Sequence, residues 1–356
     1  MTIDLAALAG WNHSDALRLR LPLFFELLRE AKPDLRERTS CLTLLAGAGT
    51  RWIKSLPKEY PVDAPRGLFP VKNYLGGSRS LIPMAAYAIE AFRGLGRQTI
   101  VVRGWEEEIC GEILAPLGID RKSLRFRTQA EGPSGKVLGH GDAARQAYDD
   151  WKESDYVIVN FGGDANSPLS AFLGLLALSK LEELGEGVDL LLPVASIQNP
   201  AYPIQLDSEG IPRAFGHNKL GGKAGWSGVG LDHSGKAYTN VGIRVYRTKA
   251  LARAIGEIVG EWWSEESGYS IPGNDPEARE FALDNVDAMM ARAGRARILA
   301  SALPEELTPA KSFDEVGRFE EAVRLVRQDW NRVAEVLESE YPANPWSKQK
   351  LEGSGS

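Results

Sequence analysis

The sequence holds little cysteine, little histidine and no long apolar run. Two cysteines, Cys41 and Cys110, among 356 residues exclude a disulfide framework and a cysteine-rich zinc site. Both stand in apolar surroundings, which predicts buried free thiols and fits a reducing compartment. The four histidines, His13, His140, His217 and His233, are dispersed, without the H-E-x-x-H spacing of a zinc site. No apolar stretch approaches the roughly 18 residues of a membrane span, and no basic segment followed by a long apolar one opens the chain. A surplus of positive charge is missing too. The formal net charge of −6 argues against broad binding to nucleic acid or anionic membrane, while leaving room for a local basic pocket. There is no internal repeat of the hexapeptide kind and no G-x-S-x-G elbow for hydrolase chemistry. The expectation is a cytoplasmic chain with neither a nucleic-acid nor a membrane partner.

What is present reads as an ordinary globular protein, with 43% hydrophobic and 25% charged residues. Short, nearly continuous apolar runs recur as "CLTLLA" (41–46), "QTIVV" (98–102), "YVIVNF" (156–161) and "VDLLLPVA" (188–195). Such runs suit strands covered on both faces. Between them lie helical patterns over 81–92, 142–152 and 169–184, closed by glycines or polar residues. Alternation of this kind predicts an α/β fold with a doubly wound, mostly parallel sheet, which binds ligands beyond the carboxyl ends of its strands. "YPIQLDSEGIPRAF" reads as a hairpin, a glycine-dense loop follows it, and "TNVGIRVY" resumes strand character.

The expected organisation is an N-terminal helical extension over 1–39, with a helix at 14–31 interrupted by Pro22. A main domain over 40–318, a C-terminal amphipathic helix over 319–346 and a polar tail over 347–356 follow it. The amphipathic terminal helices offer contact surfaces for a homo-oligomer.

The chemistry begins at "LLAGAGTRWIKSLPKEYPVDAPRGLFPV" (44–71). Glycines directly after a strand let backbone N–H groups approach a phosphate, and an adjacent arginine adds charge and a bidentate fork. The same residues also suit a tight strand-to-helix turn. Trp52 stands where the dinucleotide fingerprint needs a third glycine, and no Gly-Lys-Ser/Thr follows as in a Walker loop.

"LAGAGTRW", then "PRGLFPV", "RSLIPMAAYAIEAF", "QAEGPSGKVLGHGDAARQA", "VIVNFGGDANSPLS", "TNVGIRVY", "REFALDNVDAMMARAG" and "SFDEVGRFEEAVR" together resemble, in order over about 41–326, the nucleotide-sugar pyrophosphorylases. These are the sugar-1-phosphate nucleotidylyltransferases. Their patterns include a G-x-G-T-R loop, a Gln-x-Glu segment before a helix, Asn-x-Gly-Ile, and Trp-x-Asp-x-Gly-Thr near the end. The resemblance implies a Rossmann-like, GT-A-like nucleotidyltransferase fold and nucleotidyl transfer from an NTP to a sugar 1-phosphate, with Mg²⁺ as cofactor.

By that resemblance Arg51 and Arg66 are catalytic, and Ala46, Gly47, Gly49, Thr50, Gln129, Gly139 and Gly141 bind the nucleotide. Asn240, Gly242 and Lys219 meet the sugar phosphate, and Asp164 and Asp314 hold the metal. Each has a plainer reading beside it. Asp164 before Pro168 suits an Asx turn, Asp314 and Asp142 suit helix caps, Asn240 suits a turn, and Lys219 suits a solvated loop. His140 occupies a threonine position of the pattern; it is not needed as a general base, since a phosphate oxygen is already anionic. Arg66 replaces the usual lysine with a planar fork, and "AFGHNK" lacks the glutamate that normally precedes the lysine. These departures keep two alternatives open: a cofactor or alcohol-phosphate nucleotidyltransferase, and a catalytically silent nucleotide-sugar-binding regulator.

Overall fold

β1, Thr39–Leu44, is buried along its whole length, with the Thr39 hydroxyl on Leu35 O and the Ser40 hydroxyl on Ser154 Oγ, as a strand covered on both faces requires of its polar residues. The computed structural model describes residues 33–47, 50–57, 65–75, 78–93, 95–133, 135–161, 168–198, 203–207, 211–215, 236–272, 274, 277, 279–301 and 312–328. The helix expected at 14–31, the glycine-dense loop, the polar tail and any helix beyond 328 lie outside them. Further strands are β2 (Pro70–Lys72), β3 (Leu81–Pro83), β4 (Arg97–Val102), β5 (Leu124–Thr128), β6 (Tyr156–Asn160) and β7 (Leu190–Gln198). They continue as β8 (Ile204–Leu206), β9 (Pro212–Phe215), β10 (Lys236–Asn240), β11 (Ile243–Arg247), β12 (Trp263–Ser264), β13 (Gly268–Tyr269) and β14 (Ala296–Ser301).

The described residues form one eight-stranded sheet in the order β10-β7-β11-β6-β1-β4-β5, with β14 also on β7. β5, β4, β1 and β6 are mutually parallel. β11 runs antiparallel to both β6 and β7, so β7 points the same way as β6, and β14 is parallel to β7. The sheet is therefore mixed but mostly parallel, with β10 and β11 reversed. Alternate residues of one strand enter two separate apolar clusters. Val101 belongs to one, Ile100 and Val102 to the other, as the two-residue period of a strand demands. One face carries the helices His140–Gln146, Thr248–Trp262 and Leu283–Arg292; the other carries Ala85–Ala91 and Val316–Gln328. The architecture is α/β, compatible with a Rossmann-like fold.

Three expectations shift in detail. The helical pattern over 81–92 splits, because residues 81–83 pair antiparallel with β2 and the helix occupies only Ala85–Ala91. Pro83 cannot donate within a helix and disfavours helical geometry at the residue before it. The pattern over 142–152 becomes His140–Gln146 and Tyr148–Trp151. At that break the Trp151 indole N–H takes the Ala144 carbonyl at 2.9 Å, the acceptor that a continuous helix would offer to Tyr148. "TNVGIRVY" is two strands, β10 and β11, separated by Val241 and Gly242, the latter at φ +85°. The hairpin after 202 is present as β8 and β9, with an irregularity between Gln205 and Leu206. Cys41 is buried, and burial pushes its thiol up to about 12; Cys110 is half-buried. No helix among the described residues is long and apolar enough to cross a membrane.

Candidate functional site

The chain leaves β1 beside the end of β4, where Leu45 N donates to Val101 O at 2.8 Å. Ala46 is buried and Gly47 exposed. A Cβ built on Gly47 would meet no described residue within 4 Å, so packing among the described residues does not explain that glycine. Gly49 and the side chains of Thr50 and Arg51 lie outside the described residues, although the helix Thr50–Ser55 itself is present. Arg66 opens a short 3-10 turn, Arg66–Leu68, after Pro65, and is half-buried. Gly67 and Leu68 of that turn join Leu45, Val102, Gly104 and Trp105 around an apolar slot at the same sheet edge. Trp105 holds a left-handed backbone, φ 65°, which is unusual for a bulky residue and costs about 1–3 kcal/mol.

Gln129 follows β5, and its N–H donates to Val102 O at 2.7 Å. Its side-chain Nε2 donates to Gly139 O at 2.8 Å, joining two of the residues expected at the nucleotide. Gly139 and Gly141 have a packing reason for being glycine that the sequence did not reveal. Gly139 sits at φ +90°, where a Cβ would lie 2.5 Å from Phe281 O, and a Cβ on Gly141 would lie 2.7 Å from the Phe281 ring. Gly141 N also donates to Phe281 O at 2.9 Å. His140 between them is held from the opposite helix: its Nδ1 accepts from Leu283 N at 2.9 Å. Asp142, whose position suits a helix cap, is fully buried and receives Arg145 Nε at 2.7 Å and Tyr269 OH at 2.8 Å.

Asn240 and Gly242 reach this edge through the break between β10 and β11. Asn240 Oδ1 accepts from Gly242 N at 2.5 Å, and Gly242 O accepts from Phe161 N at 2.9 Å, directly after β6. The amide nitrogen of Asn240 is buried and finds no hydrogen-bond partner among the described residues. Phe161 in turn meets the His140 ring edge-on at 4.9 Å. The structure thus brings Gln129, Gly139, His140, Phe161, Asn240 and Gly242 into one connected neighbourhood.

Beneath it lies a group of charges that sequence reasoning missed. Arg244 on β11 donates through Nε to Asp287 at 2.6 Å and through Nη2 to Asp284 at 3.0 Å. Tyr246 OH donates to the other Asp287 oxygen at 2.6 Å. The Arg244 guanidinium also lies 4.6 Å over the Phe161 ring. Burial pushes Asp287 up to about 6, a rise that the Arg244 charge only partly offsets. Burial, then Asp287, pushes the Tyr246 hydroxyl well above its ordinary value. Burial works against the Arg244 charge, but Asp287 and Asp284 outweigh it and raise that group further. The available signal was slight: an arginine inside an apolar strand, and two aspartates three residues apart on one helix face.

The C-terminal segment docks on the helix Thr50–Ser55 and beside the turn Arg66–Leu68. Phe313 packs edge-on against Trp52 at 6.2 Å and Phe69 at 5.6 Å, and its N–H donates to Ser55 Oγ at 2.7 Å. Asp314 is exposed in the turn Phe313–Glu315. Counted back from Gly317, the acid of Trp-x-Asp-x-Gly-Thr falls on Glu315. That carboxylate instead accepts from Ser312 N at 3.1 Å and from Arg318 at 2.8 Å. Asp164 and Lys219 lie outside the described residues. Among the described residues no group of three or more His, Cys, Asp or Glu could hold a metal; of the two expected metal ligands they include Asp314 alone. Compared with known proteins, the chain matches no family model and no curated protein.

Proposed function

We propose that the chain is a nucleotidyltransferase on a GT-A-like fold, joining a sugar 1-phosphate to a nucleoside monophosphate taken from an NTP. The observation that carries this reading is convergence at one sheet edge. Gly47 after β1, Gln129 after β5 with its amide on Gly139, and the Asn240–Gly242 break against Phe161 after β6 come from distant parts of the sequence. The carboxyl edge of a mostly parallel sheet is where such folds take ligands. The buried Asn240 amide nitrogen, without a hydrogen-bond partner among the described residues, suits a hydroxyl acceptor, because a buried donor left unpaired costs about 1–3 kcal/mol.

In the proposed reaction an acceptor phosphate oxygen attacks the α-phosphorus of the NTP. The new P–O bond forms as the bond to the α,β-bridging oxygen breaks, and pyrophosphate departs with that electron pair. No proton has to move, which leaves His140 free of a general-base role. Arg51 would hold the triphosphate and Arg66 the reacting phosphates, where a planar fork can meet two oxygens at once. Mg²⁺ would be held by Asp164 together with the exposed Asp314, and would supply charge neutralisation at the phosphate oxygens.

The test is a pyrophosphate-release screen of the five common NTPs, with Mg²⁺ present, against a panel of sugar 1-phosphates. Release with at least one pair is expected. The Asp164→Asn variant should keep its unfolding midpoint while losing most turnover; full turnover in that variant would remove Asp164 from the metal site. NTP binding without release against any acceptor would favour the silent regulator instead.

A further inference from the structure

Four residues from four elements close a ring behind the proposed nucleotide segment. His140, at the start of His140–Gln146, accepts from Leu283 N at 2.9 Å and places Nε2 3.5 Å from Asp284 Oδ2. The other Asp284 oxygen takes Arg244 Nη2 at 3.0 Å. Arg244 covers Phe161 at 4.6 Å, and Phe161 meets His140 at 4.9 Å. The ring ties together the helix start after Gly139, the helix start at Leu283, the strand β11 and the end of β6. An acceptor bond at Nδ1 also fixes the neutral imidazole as the Nε2–H tautomer. The carbonyl of Gly139, one residue before His140, is the group that holds the Gln129 side chain. The backbone at Gly139–His140 is thus bonded to the Gln129 amide, and Phe161, in contact with the His140 ring, donates to Gly242 O.

We propose that His140 is a positioning residue for nucleotide binding, acting through the Leu283 N–H bond and the Asp284 and Arg244 ring to set the Gln129 and Gly139 pair. The inference rests on the nucleotide reading above. It assigns His140 neither acid–base chemistry nor direct contact with the reacting phosphates. Geometry makes it separable from a purely structural role. The amide oxygen of an asparagine falls near the Nδ1 position and can still accept from Leu283 N, whereas glutamine places its amide farther out and alanine offers nothing.

The experiment measures equilibrium binding of the five common NTPs to the full chain and to His140→Asn, His140→Gln and His140→Ala, with thermal unfolding of each without ligand. The expected result is a loss of tenfold or more for the alanine and glutamine variants, and recovery to within about threefold of the parent for asparagine. Unfolding midpoints of the glutamine and asparagine variants should agree, so that the binding difference does not follow stability. Equal NTP affinity in the glutamine and asparagine variants would overturn the proposal even if the alanine variant failed to fold. A parent chain that binds none of the five NTPs would overturn the nucleotide reading and this proposal together. Binding by the parent with no asparagine-specific recovery would overturn this proposal alone.

Discussion

Asp150 and Asp287 are both fully buried aspartates held by arginine, yet the protein treats them in opposite ways. Asp150 receives Arg127 through two bonds, at 2.6 and 2.8 Å, and Arg125 through a third at 2.8 Å. Burial pushes its carboxyl up, but the Arg127 and Arg125 contacts outweigh burial and hold it below the ordinary 3.8. Asp287 shares one arginine with Asp284, and burial wins, raising it to about 6. The difference is stoichiometric: two cations for one carboxylate at the β5 edge, one cation for two carboxylates beside the proposed site. Exposure adds to it. Arg125 and Arg127 have side chains 51% and 44% exposed, whereas Arg244 is 5% exposed, so water helps to carry the charge in one case and not in the other.

The comparison breaks most sharply at Arg244. Arg244→Met keeps the length of the side chain but leaves Asp284 and Asp287 facing each other without a cation, and should cost about 3–5 kcal/mol in urea unfolding. A loss below about 1 kcal/mol would mean that the pair carries little charge in the folded state.

Next in size are the opposed pH dependences. The folded-state value of Asp287 lies above its ordinary 3.8, so the folded state binds more protons over that range. Its contribution to stability is fully present below about 3.8 and is lost as pH rises through about 6. The folded-state value of Asp150 lies below 3.8, so its contribution is present above that value and lost as pH falls. Unfolding free energy measured between pH 3 and 7, parent minus Asp287→Asn, should therefore fall with pH, while parent minus Asp150→Asn should rise. Slopes of the same sign would refute the stoichiometric account. The smallest effect is expected for Arg125→Gln, about 0.2–1 kcal/mol in the same urea assay, because Arg127 still holds Asp150 and the lost group is half in water.

The middle of the sheet was legible because β1, β4, β6 and β7 are apolar runs, and burial on both faces writes itself into such a run. β5, "LRFRT", was not, since an edge strand alternates Leu124, Phe126 and Thr128 with the arginines that bind Asp150. β3 was masked by the helix that follows it, as Leu81 and Ile82 fit either period until Pro83 is weighed. Of the candidate site, the turn residues could be read because glycine and asparagine after strands have few other uses. The reason for Gly139 and Gly141 could not, because Phe281 lies some 140 residues away and nothing local announces it. The Arg244 cluster escaped for the same reason: ion pairs across 40 and 43 residues leave no spacing to recognise.

The docking of Phe313 on Ser55, Trp52 and Phe69 has a consequence for the order in which the chain is built. Phe319 and Val323 fill the same apolar cluster as Trp52, Val71 and Tyr87. Ser55 and Phe313 are 258 residues apart, which at about 5–20 residues per second of synthesis means a wait of roughly 13 to 52 s. Until it ends, the apolar cluster around Trp52, Val71 and Tyr87 lacks the cover that Phe319 and Val323 supply, exposed surface of the kind that makes folding intermediates prone to aggregate.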